Sequence, residues 1–250
     1  MSSDAPPAVE LRRVTKAFGD RRVLEDVSLV VPAGRSVCIL GRSGTGKSVT
    51  LKHIVGLIAP DRGQVLIEGR DITPLSSREL APIRRRIGFL FQNAALFDSI
   101  SVGENVAFPL RRHAAFEERE IRARVQRLLE DVGLGGEFHT MPADLSGGMR
   151  KRAGLARALA LGPSILLVDE PSAGLDPITS GEVDALLAGL RAHAKTTLVV
   201  VTHNIDSARA IADEVVFLDE GRVLAQGSPE ALDRSDVPLV RQFMRAHGTG

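Results

Sequence analysis

The chain has 250 residues, enough for one large domain or two small ones with a proper core, and 44% of them are hydrophobic and 25% charged. A net charge of +1 and the absence of Trp and Tyr argue against a surface that grips nucleic acid by phosphates or stacked bases, so nucleic acid is not an expected partner. The start "MSSDAPPAVE" lacks a basic-then-apolar leader pattern and no apolar run approaches a bilayer-spanning length, so a cytosolic, soluble chain is expected, free to dock on a membrane protein.

The early runs "VSLVV" and "GQVLIEG", beside the turns "PAG" and "PDRG", read as antiparallel strands. Between them "SVCIL" reads as a strand, and its single cysteine, Cys38, as a buried structural thiol. "GRSGTGKS" follows, matching G-x-x-x-x-G-K-[ST] over Gly41, Arg42, Ser43, Gly44, Thr45, Gly46, Lys47 and Ser48. A helical pattern comes next, with Leu51, Ile54, Val55 and Ile58 on one face and Pro60 and Gly63 closing it. Strand, glycine loop and helix together are the context that a phosphate loop needs. The glycines let the backbone wrap phosphates, while amides and the helix N-terminus supply positive partial charge. Lys47 is expected to reach the β- and γ-phosphates, Ser48 to bind Mg²⁺, and Val49 to border the nucleotide. No N-K-x-D motif for guanine is present, so adenine is the better guess; Phe18 is either its stacking surface or a core phenylalanine.

The run Arg84 to Arg86 reads as a solvated face, and "IGFLF" as a strand. From about Asn93 to Leu161 the pattern turns helical, as in "EEREIRARVQRLLEDVGL", where Ile121, Val125, Leu128, Leu129 and Val132 share a face. This stretch reads as a helical subdomain inserted in an α/β core. Within it, Leu96, Phe97, Ile100, Val102 and Phe108 divide evenly between the subdomain's core and a groove for a partner's helix, with Phe97 and Ile100 the groove candidates. "SILLVD", "TLVVVT" and "EVVFL" read as strands. The throughout-apolar runs among them suggest a parallel sheet covered on both faces, and "VVFLDEGRVLAQG" reads as a hairpin. Asp169 ends one of these strands, beside the phosphate loop if the two strands are neighbours, and is the natural Mg²⁺ partner. Glu170 is either a base for an attacking water or a solvated strand end. The residues from about Ala231 onward read as a short tail with weak pattern, and His53 and His113 as structural.

"GRSGTGKS", Gln92 after "IGFLF", "LSGG", "ILLVDE", "SAGLD" and "VTH" occur in that order, and the chain from about Leu11 to Gly227 resembles the nucleotide-binding subunit of an ATP-binding cassette (ABC) transporter. The resemblance implies an α/β fold: a P-loop NTPase core of ABC type with an antiparallel β subdomain and an inserted α-helical subdomain. The ATP-binding core spans 1–92 and 162–230, the helical signature subdomain 93–161, and the tail 231–250. It implies an ATPase using ATP and Mg²⁺ and a head-to-tail dimer of two copies on a transmembrane permease. Phe18 then stacks on adenine, and Gln92 senses Mg²⁺ or water. Ser146, Gly147 and Gly148 hold the γ-phosphate of the opposite ATP, and Asp176 lies in the interface. Glu170 becomes the general base, and His203 contacts the γ-phosphate. Met149 stands where most members have Gln; because Ser146 caps the next helix and the glycines offer backbone, this departure should tune the site without abolishing it. "LSGGM", "GRSGTGKSVTLKHIVGL", "NAALFDSISVGENVAFPL" and "GLDPITSG" resemble the branch serving lipid transporters with Mce-type proteins, such as the Mla phospholipid system. That branch implies phospholipid or another lipid as cargo, an Mce-domain protein reached through the permease, and a place on the cytoplasmic face of the bacterial inner membrane. The alternative is the ATPase of another ABC transporter, a small-molecule importer.

Overall fold

The structure is a computed structural model describing residues 6–113, 115–194 and 196–245. The first five residues of "MSSDAPPAVE" and the last five of the tail lie outside the described residues. Strands β1 (Val9–Phe18) and β2 (Arg21–Val31) form an antiparallel pair, and β3 (Ser36–Leu40) leads through the glycine loop into helix α1 (Lys47–Ile54). β4 (Arg62–Ile67), β5 (Arg70–Asp71), α2 (Ser77–Arg84) and β6 (Ile87–Leu90) follow. Helices α3 (Val102–His113), α4 (Glu118–Asp131) and α5 (Gly147–Leu159), with a 3₁₀ turn at Pro142–Asp144, fill the next segment. The chain then runs β7 (Ile165–Asp169), α6 (Pro177–Ala194), β8 (Thr197–Thr202), α7 (Ile205–Ile211), β9 (Glu214–Asp219) and β10 (Arg222–Gly227), ending in α8 (Pro229–Asp233) and α9 (Pro238–Arg245).

Two sheets result. The order β2-β1-β4-β5 is antiparallel, and the order β10-β9-β3-β8-β7-β6 is parallel from β9 to β6 with β10 antiparallel at the edge. Every residue of β3, β7 and β8 is buried, because helices or the second sheet cover both faces. One core lies between the two sheets and α1, and the other between the parallel sheet and helices α3 to α7. Cys38 is fully buried, and burial pushes its thiol pKa up.

Several expectations need correction. β3 and β7 are not neighbours: β8 lies between them. The helix after the phosphate loop ends at Ile54, not at Pro60. Gly56, at φ +67°, donates to the carbonyl of His53, and Leu57 to that of Lys52, a left-handed stop that leaves Ile58 outside the helix. Arg84 to Arg86 are not simply a solvated face. Arg84 donates to the carbonyls of Val55 (3.1 Å) and Gly56 (2.7 Å), satisfying that helix end, and Arg86 pairs with Glu68 at 2.6 Å. The described part of the tail is also more ordered than its pattern suggested. In α9, Val240 and Met244 are buried and Phe243 packs edge-on to Phe217 at 5.0 Å, while Arg209 clamps Asp233. β1 had no strand signal clear enough to be read. Its bulged register against β2 breaks the alternation that marks a strand.

Candidate active site

The carboxyl ends of four parallel strands point to one cleft, where ligands settle in α/β sheets. β3 delivers the loop Gly41 to Gly46, β6 delivers Gln92, β7 delivers Asp169 and Glu170, and β8 delivers His203. The cleft has a volume of about 490 Å³. Its walls include Phe18, Ser43, Gly44, Gly46, Lys47, Ser48 and Val49, together with Gln92, Glu170 and His203. Arg21 and Val23 also line it; they sit on a strand whose sequence says nothing of its proximity to the loop.

The glycines are needed for space as well as dihedral freedom. A Cβ on Gly41 would lie 2.1 Å from the Leu218 carbonyl oxygen, and Gly46, at φ +106°, would meet Leu24 at 2.7 Å and the Val23 carbonyl at 2.8 Å. Lys47 is buried, and its Nζ donates to the carbonyls of Gly41 and Arg42 at 2.8 Å each. Burial lowers its pKa, while Glu170, with Oε1 at 3.6 Å, pulls the other way. Ser48 Oγ donates to Asp169 Oδ1 at 2.8 Å. It does so across the intervening β8, because α1 packs over β8 and also touches β7. Burial raises the pKa of Asp169; the Ser48 hydrogen bond lowers it and Glu170 raises it further. A hydroxyl and a desolvated carboxylate, both hard oxygen donors at one point, are a donor set that suits Mg²⁺.

Glu170 is buried and left-handed, at φ +47°. Its Oε2 accepts the His203 backbone N–H at 3.3 Å and lies 2.9 Å from His203 Nδ1. Thus Glu170, which the sequence left open, and His203 are neighbours, and both line the cleft of the phosphate loop. Phe18 is 49% exposed, with Lys16 Nζ 5.5 Å from its ring centroid, so it is not a core phenylalanine.

Ser146, Gly147, Gly148 and Asp176 do not line this cleft. Ser146 caps α5, its Oγ accepting the Met149 N–H at 3.2 Å. A Cβ on Gly148 would meet Thr179 at 2.3 Å. Asp176 accepts the N–H groups of Ile178 and Thr179 at 3.0 Å and the Thr179 hydroxyl at 2.6 Å, which lowers its pKa. Met149 contributes its backbone to the cap while its side chain packs, half-buried, on the helical core. Among the described residues no cluster of three His, Cys, Asp or Glu could hold a metal.

A second surface lies beside α3. Phe97 and Phe108 are about half exposed with ring centroids 5.0 Å apart, and line two adjoining hollows of about 350 and 530 Å³. Val102 is core and Leu96 packs on it, so the even division of that segment resolves residue by residue. Fully buried Asn105 fixes the loop, accepting the Phe97 N–H at 2.8 Å and donating to the carbonyls of Phe97, Ile100 and Ser101. Asn105 was not singled out in the sequence; a polar residue on the buried face of an amphipathic helix was its signal.

The family model for the ABC transporter matches residues 24–173. The chain belongs to the ABC transporter family. It is 47% identical over 97% of its length to a Mycobacterium leprae protein named Probable ribonucleotide transport ATP-binding protein mkl, covering 70% of that protein. It is 41% identical over 98% of its length to the Escherichia coli K12 Intermembrane phospholipid transport system ATP-binding protein MlaF, covering 91% of it. Its fold matches, at TM-score 0.82 and 36% identity over 88% of this chain and 98% of the other, the dimeric structure of a post-hydrolysis state of the ATP-binding cassette MJ0796 bound to ADP and Pi. The ABC cassette described here is therefore an ATP-binding and ATP-hydrolysing protein of P-loop ABC fold, as its motifs implied. Among its described residues no helix is long and apolar enough to cross a membrane.

Proposed function

We propose that this cassette drives a transporter that moves phospholipid or another lipid between envelope membranes. It works from the cytoplasmic face of the bacterial inner membrane on a transmembrane permease, and through it on an Mce-domain lipid-binding protein. The observation that carries this reading is likeness to MlaF sustained over nearly the full length of both chains. The name of the mkl relative favours a second reading, the ATPase of a small-molecule importer. The groove at Phe97, Ile100 and Phe108 suits an apolar helix of the permease.

The chain divides by function into an ATP-binding core with antiparallel β subdomain (1–92 and 162–230), a helical subdomain (93–161) and a tail (231–250). In the core, Phe18 stacks on adenine, and Gly41 to Gly46 with Val49 enclose the phosphates. Lys47 leaves the Gly41 and Arg42 carbonyls for the β- and γ-phosphate oxygens. Ser48 and Asp169, with Gln92 nearby, would hold Mg²⁺, which when bound offsets phosphate charge. Glu170 takes the proton from the attacking water, and His203, which orients that carboxylate, contacts the γ-phosphate. Ser146, Gly147, Gly148 and Asp176 act on the nucleotide of a second copy. Their position outside the cleft of Lys47 and Glu170 supports that assignment, as does a dimeric cassette of the same fold.

The test is a pull-down of the N-terminally tagged chain from detergent-solubilised membranes of its native host, with proteins and lipids identified by mass spectrometry. A multi-span permease with an Mce-domain protein and phospholipid is expected. A permease with a soluble solute-binding protein would establish the importer instead, and no membrane partner would remove the transporter reading.

A further inference from the structure

Helix α5 begins in the LSGG motif, and further along it Lys151 reaches the backbone of two cleft residues. Lys151 is 5% exposed, an unusual place for an ammonium. Its Nζ donates to two backbone carbonyls, that of Gln92 in a short contact and that of Glu170 at 2.8 Å. Three residues on, Gly154 lets the helix lie against the turn after Gln92: a Cβ there would meet the Ala94 Cβ at 2.9 Å and Leu90 at 3.0 Å. Another turn on, Arg157 donates to the carbonyls of Ala94 (2.7 Å) and Ala95 (2.8 Å) and lies 5.9 Å from the Phe97 ring. Ala94, Ala95 and Glu170 all have positive φ, of 57°, 49° and 47°. A non-glycine residue in this region is strained and persists only where neighbours hold it.

We propose that Lys151 is a positioning residue for ATP hydrolysis, tying the carbonyls of Gln92 and Glu170 to one helix so that the two side chains are set together. This rests on the reading of Glu170 as base and Gln92 as its companion. Lys151 does not line the cleft; it acts through the backbone that aims the Glu170 carboxylate. The same helix also braces the turn leading to Phe97, through Arg157. A structural ammonium could serve anywhere in a core. Here its two acceptors lie just past the carboxyl ends of two different strands, β6 and β7, at the cleft, and that placement distinguishes a positioning role from packing.

The test compares wild type, Lys151→Met, Lys151→Arg and Glu170→Gln in the complex of the full chain with its permease. Affinity for mant-ATP, KM and kcat are measured for each. Lys151→Met is expected to lower kcat by roughly 10- to 100-fold, the effect of an ångström-scale misplacement, with mant-ATP affinity and KM within about threefold. Lys151→Arg is expected to restore kcat to within about fivefold, since a guanidinium can serve both carbonyls. A Lys151→Met enzyme with kcat within about twofold of wild type, where misplacement should cost far more, overturns the inference. So does a parallel fall in kcat and mant-ATP affinity that arginine does not repair, the mark of a merely structural lysine. If Lys151→Met does not fold, Lys151→Gln, a shorter and uncharged donor, is judged by the same criteria. Sustained hydrolysis in Glu170→Gln would remove the base assignment whatever Lys151 does, whereas unchanged Lys151 variants beside an inactive Glu170→Gln would remove this inference alone.

Discussion

Glu170 combines a left-handed backbone with a buried carboxylate that faces His203 and Lys47, an arrangement stable only because hydrogen bonds surround it. Replacing its charge while keeping its shape isolates the chemistry: Glu170→Gln should bind ATP normally and turn over roughly 10²-fold more slowly, the worth of a general base. Steady-state phosphate release beside ATP titration reads both quantities, and near-normal release would strip Glu170 of that role. Lys47→Ala should weaken ATP binding itself, measured by calorimetry; unchanged affinity would contradict the phosphate-loop geometry. Met149→Gln should fold and hydrolyse ATP with only a modest change in rate, because the cap at Ser146 uses the Met149 amide and not its side chain. A dead Met149→Gln enzyme would show that the side chain has a further task. Asp184 is buried with Ser207 Oγ donating to it at 2.6 Å, and burial together with nearby Asp206 raises its pKa. A carboxyl with a raised folded pKa contributes most when protonated, so its stabilisation is lost as pH rises from the ordinary Asp range through the raised value. Urea unfolding between pH 4 and pH 8 should therefore show a smaller decline in Asp184→Asn than in wild type; an identical decline would place the raised pKa elsewhere.

Among the helices, α9 shows how a short element is held by what it covers. Val240 and Met244 are buried and Arg209 donates to the Met244 carbonyl, so eight residues make a fixed cap on the core. Met244→Ala should cost about 2–5 kcal/mol of unfolding free energy, as large-to-small core changes do. Denaturant titration checks this, and a change under about 0.5 kcal/mol, the size of a surface effect, would mean that α9 is not docked in solution. Its pattern was legible: Val237, Val240 and Met244 are spaced for one face, but a single pair of turns is too short for periodicity to stand out. α1 failed in the opposite direction. The apolar spacing of Ile58 continues past Gly56, and only the left-handed φ of that glycine shows where the helix stops.

One helix, α5, ties the nucleotide cleft to the Phe97–Phe108 groove, through Lys151 and Arg157. Phe97→Asp with Phe108→Asp should abolish co-purification of the permease while ATP binding by the chain persists. Retention of the permease by that double variant would exclude the groove as the docking surface.

Much of the active site was legible because phosphate chemistry constrains residues that are close in sequence. A loop that must wrap phosphate needs its glycines, its lysine and its hydroxyl within eight positions, and an apolar strand ending in Asp169–Glu170 carries its own direction. The alternation of buried strands with helices likewise announces a parallel sheet. Contacts between distant segments carry no such local signature. That β8 separates β3 from β7, that Ser48 still reaches Asp169, that Glu170 meets His203, and that Lys151 grips both Gln92 and Glu170 follow from strand order and from packing across more than a hundred residues of chain in the Ser48 case. Such pairings are chosen by the free energy of burying both cores at once, a quantity that exists only when the chain has closed.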